Sequence, residues 1–255
     1  MQNTAEINQL SVAFQNSHKT ISAIDRVSFN LYPGETLVLL GESGCGKSLT
    51  SLAMMRLLPP TGVYGVESQL YVNGVDILNL PERDMRQLRG RRLAMIFQEP
   101  MTSLNPVMTI GEQISEILRR HYDFTTAELK EALIGLLNEV EMPQPHVKIH
   151  QYPHQLSGGQ KQRVVIAMAL ACKPDVLIAD EPTTALDVTI QAQILALLKK
   201  IQQSHKMSLL LITHDLGVAK EMADRVCVMY AGQIVEETSA QDFFAQVGHP
   251  YVQQL

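Results

Sequence analysis

Four short apolar runs constrain this chain more than any other feature: Leu37–Leu40, Leu93–Phe97, Val176–Ala179 and Leu209–Thr213. None alternates between apolar and polar residues. A strand with one wet face alternates, so unbroken runs of this length belong to strands covered on both faces, as in a parallel sheet between two other layers. Each run stops at a glycine or a polar residue: Gly41, Gln98, Asp180 and His214. Ligands of parallel sheets bind beyond the carboxyl ends of the strands, so chemistry is expected at these four ends.

The flanking segments follow other periods. Ile7–Phe14 and Ala23–Leu31 mix polar and apolar residues, like antiparallel strands with one wet face. Asn73-Gly74 between Leu70–Val72 and Val75–Ile77 marks a two-residue hairpin, and Ala231-Gly232 between Val226–Tyr230 and Gln233–Glu236 marks another. Together these predict an antiparallel β layer beside the parallel core. Between residues 100 and 170 the spacing turns helical, at Ile110, Ile114, Ile117 and Leu118 and again at Leu129, Leu133, Leu136, Leu137 and Val140. Thr125 and Glu128 have capping-box spacing, and Pro143, Pro145 and Pro153 mark a linker. The expected organisation is one unit over 1–255. Residues 1–100 and 171–255 form the core and its antiparallel β subdomain, and 101–170 a helical insertion.

Composition removes several classes. With 21 Lys+Arg against 26 Asp+Glu the formal charge is −5, which argues against non-specific nucleic-acid binding. Three cysteines, with no CxxC pair, exclude a disulfide scaffold or a zinc ribbon and fit a reducing compartment. The longest apolar stretch, Val164–Cys172, is far shorter than the roughly 20 residues of a spanning helix. The first ten residues have neither the basic start nor the apolar core of a signal peptide, so a soluble intracellular chain is expected.

Three motifs carry chemistry. Gly41-Glu42-Ser43-Gly44-Cys45-Gly46-Lys47-Ser48 fits G-x-x-x-x-G-K-[ST] between an apolar strand and a helical stretch, Leu49–Leu58. Its glycines let backbone N–H groups turn inward around phosphate oxygens, and the helix N-terminus adds positive potential. Lys47 reaches the β- and γ-phosphates of such a ligand and Ser48 ligates Mg²⁺. At the tip of the third run, Asp180 is placed to hold that Mg²⁺, and Glu181 to accept a proton from an attacking water. Leu156-Ser157-Gly158-Gly159-Gln160 opens another helix, with Ser157 and Gln160 at capping-box spacing. Two glycines in a first turn weaken a helix by about 1 kcal/mol each relative to Ala, which makes sense if something approaches the backbone closely. This second anion site needs either an anion of its own or the far side of a nucleotide held by another copy.

The order and spacing of Gly41–Ser48, Gln98, Leu156–Gln160, Asp180-Glu181, Ala185-Leu186-Asp187 and His214 resemble those of the ATP-binding-cassette (ABC) ATPases. The match covers nearly the whole chain and corresponds to that family's Walker A, Q-loop, signature, Walker B, D-loop and H-loop. Phe97–Pro106 and Asp180–Gln193 are similar to the peptide/nickel importer branch, whose members move dipeptides, oligopeptides, nickel chelates or glutathione. The resemblance implies an α/β fold with a P-loop NTPase core, an antiparallel β subdomain and an inserted helical subdomain. It implies a head-to-tail dimer with two ATPs, each between Gly41 and Ser43–Leu49 of one copy and Ser157, Gly158, Gly159 and Gln160 of the other. Phe14 would stack on adenine, Gln98 would contact Mg²⁺ and the water, His214 would hydrogen-bond the γ-phosphate and orient Glu181, and Asp187 would bridge the dimer. Cys45 stands where Ser is commoner in the family and makes the loop a target for thiol reagents. The last residues, Gly248–Leu255, read as part of a helix, which fits a shortened chain or one half of a tandem polypeptide.

The expected function is that of the ATP-hydrolysing subunit of an importer on the cytoplasmic face of the inner or plasma membrane. Its partners would be a second ATPase subunit, transmembrane permease subunits docked on the helical insertion and, indirectly, an extracytoplasmic solute-binding protein. Nucleic acid is not among them. The competing expectation is a soluble ABC ATPase of DNA maintenance or translation, for which the chain lacks coiled-coil heptads, CxxC modules and a basic patch. A P-loop kinase gives no reason for the Leu156–Gln160 motif.

Overall fold

The computed structural model describes residues 3–16, 19–98 and 103–245. Of the stretches singled out above, Glu99–Thr102 and Gly248–Leu255 lie outside them. The chain runs β1 (Ala5–Asn16), β2 (Lys19–Leu31), β3 (Thr36–Leu40), α1 (Lys47–Met54), β4 (Gly62–Tyr64), β5 (Gln69–Val72), β6 (Val75–Asp76), α2 (Glu82–Leu88) and β7 (Leu93–Ile96). Four helices follow before the next strand: α3 (Ile110–His121), α4 (Thr126–Glu139), α5 (Pro145–Lys148) and α6 (Gly158–Leu170). The rest is β8 (Val176–Asp180), α7 (Val188–His205), β9 (Ser208–Thr213), α8 (Leu216–Met222), β10 (Arg225–Tyr230), β11 (Gln233–Ser239) and α9 (Ala240–Ala245).

Two sheets result. One has the order β11-β10-β3-β9-β8-β7, parallel throughout except for the β10–β11 edge pair. The other is antiparallel, ordered β2-β1-β5-β6 with β4 also paired to β1. The parallel strands separate two apolar layers. Leu37, Leu39, Val176, Ile178, Leu210 and Ile212 face β1, β2 and β5 of the antiparallel sheet in one cluster. Val38, Leu40, Leu177, Ala179, Leu209 and Leu211 join α3, α4, α6 and α7 in the other. Side chains of a strand alternate between faces, and here both faces are dry. That is why the four runs carry no polar alternation.

Both hairpins form with the expected two-residue turns, Val72 pairing with Val75 and Tyr230 with Gln233. Asn73, Gly74, Ala231 and Gly232 all have positive φ, as such turns require. The second hairpin does not belong to the antiparallel layer, as its sequence led us to expect. Val226, Cys227, Val228 and Met229 are fully buried because β10 adds to β3 in parallel, leaving β11 as the edge. The helix after the glycine loop also ends four residues early, at Met54. Arg56 turns into the left-handed region at φ 52° and donates to the carbonyls of Ile77 and Leu80, and Pro59-Pro60 follows. The helices between β7 and β8 start as predicted. Thr109 and Glu112 form a capping box at α3, as Thr125 and Glu128 do at α4.

Candidate functional site

The residues that ended the four apolar runs come together because their strands are neighbours. The loop after β3, His214 after β9, Asp180-Glu181 at the end of β8 and Gln98 after β7 all leave the same carboxyl edge.

The loop between β3 and α1 is closed from below. A Cβ on Gly41 would lie 2.3 Å from the Met229 carbonyl oxygen, so no side chain fits there. Gly46 has φ 113°, and its Cβ would lie 2.8 Å from Met229 Cε. The turn of the β10–β11 hairpin fastens this loop to the antiparallel sheet, since Gly232 N–H donates to the Cys45 carbonyl and Asp25 N–H donates to the Gly232 carbonyl. Lys47 is buried, and its Nζ donates to the Gly41 and Glu42 carbonyls at 2.7 and 2.8 Å. A cleft of about 650 Å³ opens above the loop, lined by Ser43–Leu49, Gln98 and Glu181 at one end and by Ser22, Ala23, Ala231 and Gly232 at the other.

Beside the cleft, Ser48 Oγ donates to Asp180 Oδ1 at 3.1 Å. Burial pushes the Asp180 carboxyl above its ordinary range in spite of that hydrogen bond. A buried carboxylate next to a hydroxyl is a pair of hard oxygen ligands, and Mg²⁺ takes few protein ligands when phosphates and water complete its shell. Among the described residues no group of three His, Cys, Asp or Glu side chains could hold a metal alone.

Glu181 is the most fully engaged side chain of the site. His214 Nδ1 lies 2.8 Å from Oε1, while Thr184 Oγ1 and Gln98 Nε2 donate to Oε2 at 3.0 and 3.2 Å. Burial raises the Glu181 carboxyl, but the hydrogen bonds of His214, Thr184 and Gln98 outweigh it and hold the group below its ordinary value. It is therefore ionised at neutral pH and able to accept a proton. Thr184 was not foreseen as a site residue. Its signal is its position three residues after Glu181, in a turn closed by Thr184 N–H to the Glu181 carbonyl. Ser22, Ala23, Ala231 and Gly232 were not foreseen either, because they carry no chemistry and contribute shape.

The remaining candidates sit elsewhere. Phe14 pairs with Ile21 on β2, next to the cleft-lining Ser22, but its ring leans on Gly62 and does not line the cleft. Ser157 caps α6 and shares a capping box with Gln160, whose Oε1 also accepts from Lys148 Nζ. Asp187 caps α7 through Ile190 N–H. Neither Ser157–Gln160 nor Asp187 lines the cleft of its own chain. The glycine pair has an internal cause that its sequence did not show. A Cβ on Gly159 would lie 2.7 Å from Ile190 Cγ2, whereas one on Gly158 would make an ordinary 3.5 Å contact with Leu186. Cys45 corrects another expectation. It is buried, and burial pushes its thiol up, so it is a poor target for thiol reagents.

The comparisons agree with this geometry. The family model described as "ABC transporter" matches residues 24–184. The dipeptide transport ATP-binding protein DppD of Bacillus subtilis is 49% identical over all of this chain and 76% of its own length. The oligopeptide transport ATP-binding protein OppD of Salmonella typhimurium is 48% identical over 96% of this chain and 73% of its own. The glutathione import ATP-binding protein GsiA of Escherichia coli O157:H7 is 49% identical, and the match spans 99% of this chain but 41% of that protein. Among solved structures, the dimeric post-hydrolysis state of the ATP-binding cassette MJ0796 with ADP and Pi superposes with a TM-score of 0.81 at 27% identity. That match covers 92% of this chain and 98% of the cassette. A phosphate-cradling loop facing a hydrogen-bonded glutamate, in a chain half identical to DppD from end to end, leaves one assignment: the chain belongs to the ABC transporter family and is an ATP-binding, ATP-hydrolysing cassette.

Proposed function

We propose that this cassette energises uptake of peptides or a related small solute through membrane partners. The observation that carries the reading is Glu181, held by His214, Thr184 and Gln98 at the mouth of the glycine-loop cleft. ATP lies along that loop, with Lys47 on its β- and γ-phosphates. Ser48 and Asp180 hold Mg²⁺, Gln98 joins them through water, and Glu181 takes the proton of the attacking water while His214 orients it. The adenine occupies the end near Ser22, Ala23 and Phe14. Ser157–Gln160 and Asp187, exposed or half-buried and away from their own cleft, serve the nucleotide of a second copy or of a homologous subunit.

Residues 101–170 act as a helical unit against the core of 1–100 and 171–255, and the permease subunits dock on it. Among the described residues no helix is long and apolar enough to cross a membrane. The chain is held at the cytoplasmic face of the inner or plasma membrane by those permease subunits, which an extracytoplasmic solute-binding protein supplies. The names of the DppD, OppD and GsiA relatives support this class of cargo.

The test is Glu181→Gln in the full chain. It should bind MgATP like the wild type, turn over about 10²–10⁴-fold more slowly, and sediment as a dimer with MgATP. Wild-type turnover by this variant would remove Glu181 from the proposed role. Single copies at saturating MgATP would remove the shared site.

A further inference from the structure

Glu181 is held by more than its side-chain partners. Its backbone lies in the left-handed region at φ 46°, a strained conformation for a residue with a side chain, which persists when both flanks are fixed. Upstream, Glu181 N–H donates to the Ile212 carbonyl at 3.0 Å and so keeps the β8 register. Downstream stands Pro182, whose ring restricts φ. Its carbonyl accepts a 2.6 Å hydrogen bond from Gln162 Nε2.

Gln162 lies on α6, one turn beyond Ser157-Gly158-Gly159, and is fully buried. The Pro182 carbonyl can only accept, so the nitrogen end of the amide must face it. The other end, Oε1, accepts no hydrogen bond from the described residues. A buried amide used at its donor end alone is an expensive way to fill apolar space, which Met or Leu would occupy without an unpaired oxygen. The function of the side chain is therefore the bond to Pro182. Two further contacts tie the same helix turn to the same segment, Gly158 against Leu186 and Gly159 against Ile190.

We propose that Gln162 is a positioning residue for Glu181. Through the Pro182 carbonyl it fixes the left-handed bend that aims the Glu181 carboxylate, and it joins the serine-capped start of α6 to the Glu181–Thr184 turn as one piece. A ligand pressing on Ser157–Gly159 at one end of this piece shifts Glu181 at the other, so the two nucleotide sites that one copy helps to build inform each other within the chain. This rests on Glu181 being the general base of the proposed function.

The experiment compares Gln162→Met, Gln162→Glu and Glu181→Gln in the full chain, by steady-state MgATP hydrolysis and thermal unfolding. Gln162→Met exchanges one unpaired oxygen, Oε1, for another, the Pro182 carbonyl, so its Tm should stay within about 3 °C of the wild type. Its kcat should fall about tenfold or more with KM for ATP unchanged, since small misplacements of a reacting group are costly. In Gln162→Glu a protonated carboxyl donates to Pro182 and an ionised one does not. The ratio of its kcat to that of the wild type should therefore fall as pH rises. The titrations of Glu181 and His214 are common to both proteins and cancel in that ratio. A Gln162→Met kcat within twofold of wild type, or a flat Gln162→Glu ratio, overturns the proposal, and the ratio alone decides if Gln162→Met fails to fold. Wild-type turnover by Glu181→Gln would bring down the proposed function and this inference together. An inactive Glu181→Gln beside an active Gln162→Met would bring down this inference alone.

Discussion

Gly159→Ala separates two reasons for the same glycine. The new Cβ would meet Ile190 Cγ2 at 2.7 Å, a branch point that cannot swing away like the tip of a long side chain. Overpacking of this kind costs roughly 1–3 kcal/mol. Against it stands the helix preference of Ala over Gly, at most about 1 kcal/mol in a first turn. The net loss should be about 1–2 kcal/mol, or roughly 2–8 °C in Tm for a chain of this size. In an Ile190→Ala background the obstructing methyl is gone, and the same substitution should be neutral or stabilising. Urea unfolding of the four proteins in a double-mutant cycle reads the coupling directly, expected at about 1–3 kcal/mol. An equal cost for Gly159→Ala in both backgrounds would refute the packing argument. ATP turnover then carries the second reason. If a nucleotide of another copy also approaches Gly159, the repacked double variant should stay slow although it is stable.

Two further expectations concern ionisation. Asp180→Asn should abolish turnover yet leave the nucleotide-free chain as stable or more so, because it removes a buried carboxylate. Since the folded-state value of Asp180 is raised, its stabilising contribution is complete below the ordinary 3.8 and is lost as pH rises through the raised value. The wild type should therefore lose Tm relative to Asp180→Asn on going from acid toward neutral pH, and a gap that does not change with pH would contradict this. Cys45, buried with its thiol pushed up, should alkylate at neutral pH far more slowly than a free thiol, followed by mass spectrometry. Rapid labelling would show that the glycine loop opens in solution.

The parallel core was legible because its strands are short and dry on both faces, and the phosphate loop because its glycines, lysine and serine sit at fixed spacing between a strand and a helix. What escaped were features made by contact between distant segments. Nothing in Val226–Tyr230 says that its neighbour is β3, some 190 residues earlier, so its hairpin was assigned to the wrong layer. The tightness at Gly159 depends on Ile190, and the burial of Cys45 depends on how the loop closes. Thr184 differs from an ordinary turn residue only once Glu181 is seen beside it.

Strand β3 has its sheet partners far downstream, Thr36 beside Leu209 and Leu37 beside Arg225. The carbonyl beneath Gly41 belongs to Met229, and the N–H on the Cys45 carbonyl to Gly232. On a ribosome, then, the motif emerges in the first fifth of synthesis but cannot take its shape until nearly all of the polypeptide has followed. Closing so long a span is slow, and it leaves an apolar strand waiting without neighbours throughout translation. The nucleotide cradle is written early and assembled late, and any product cut short before residue 208 should carry the motif without the ability to grip a phosphate.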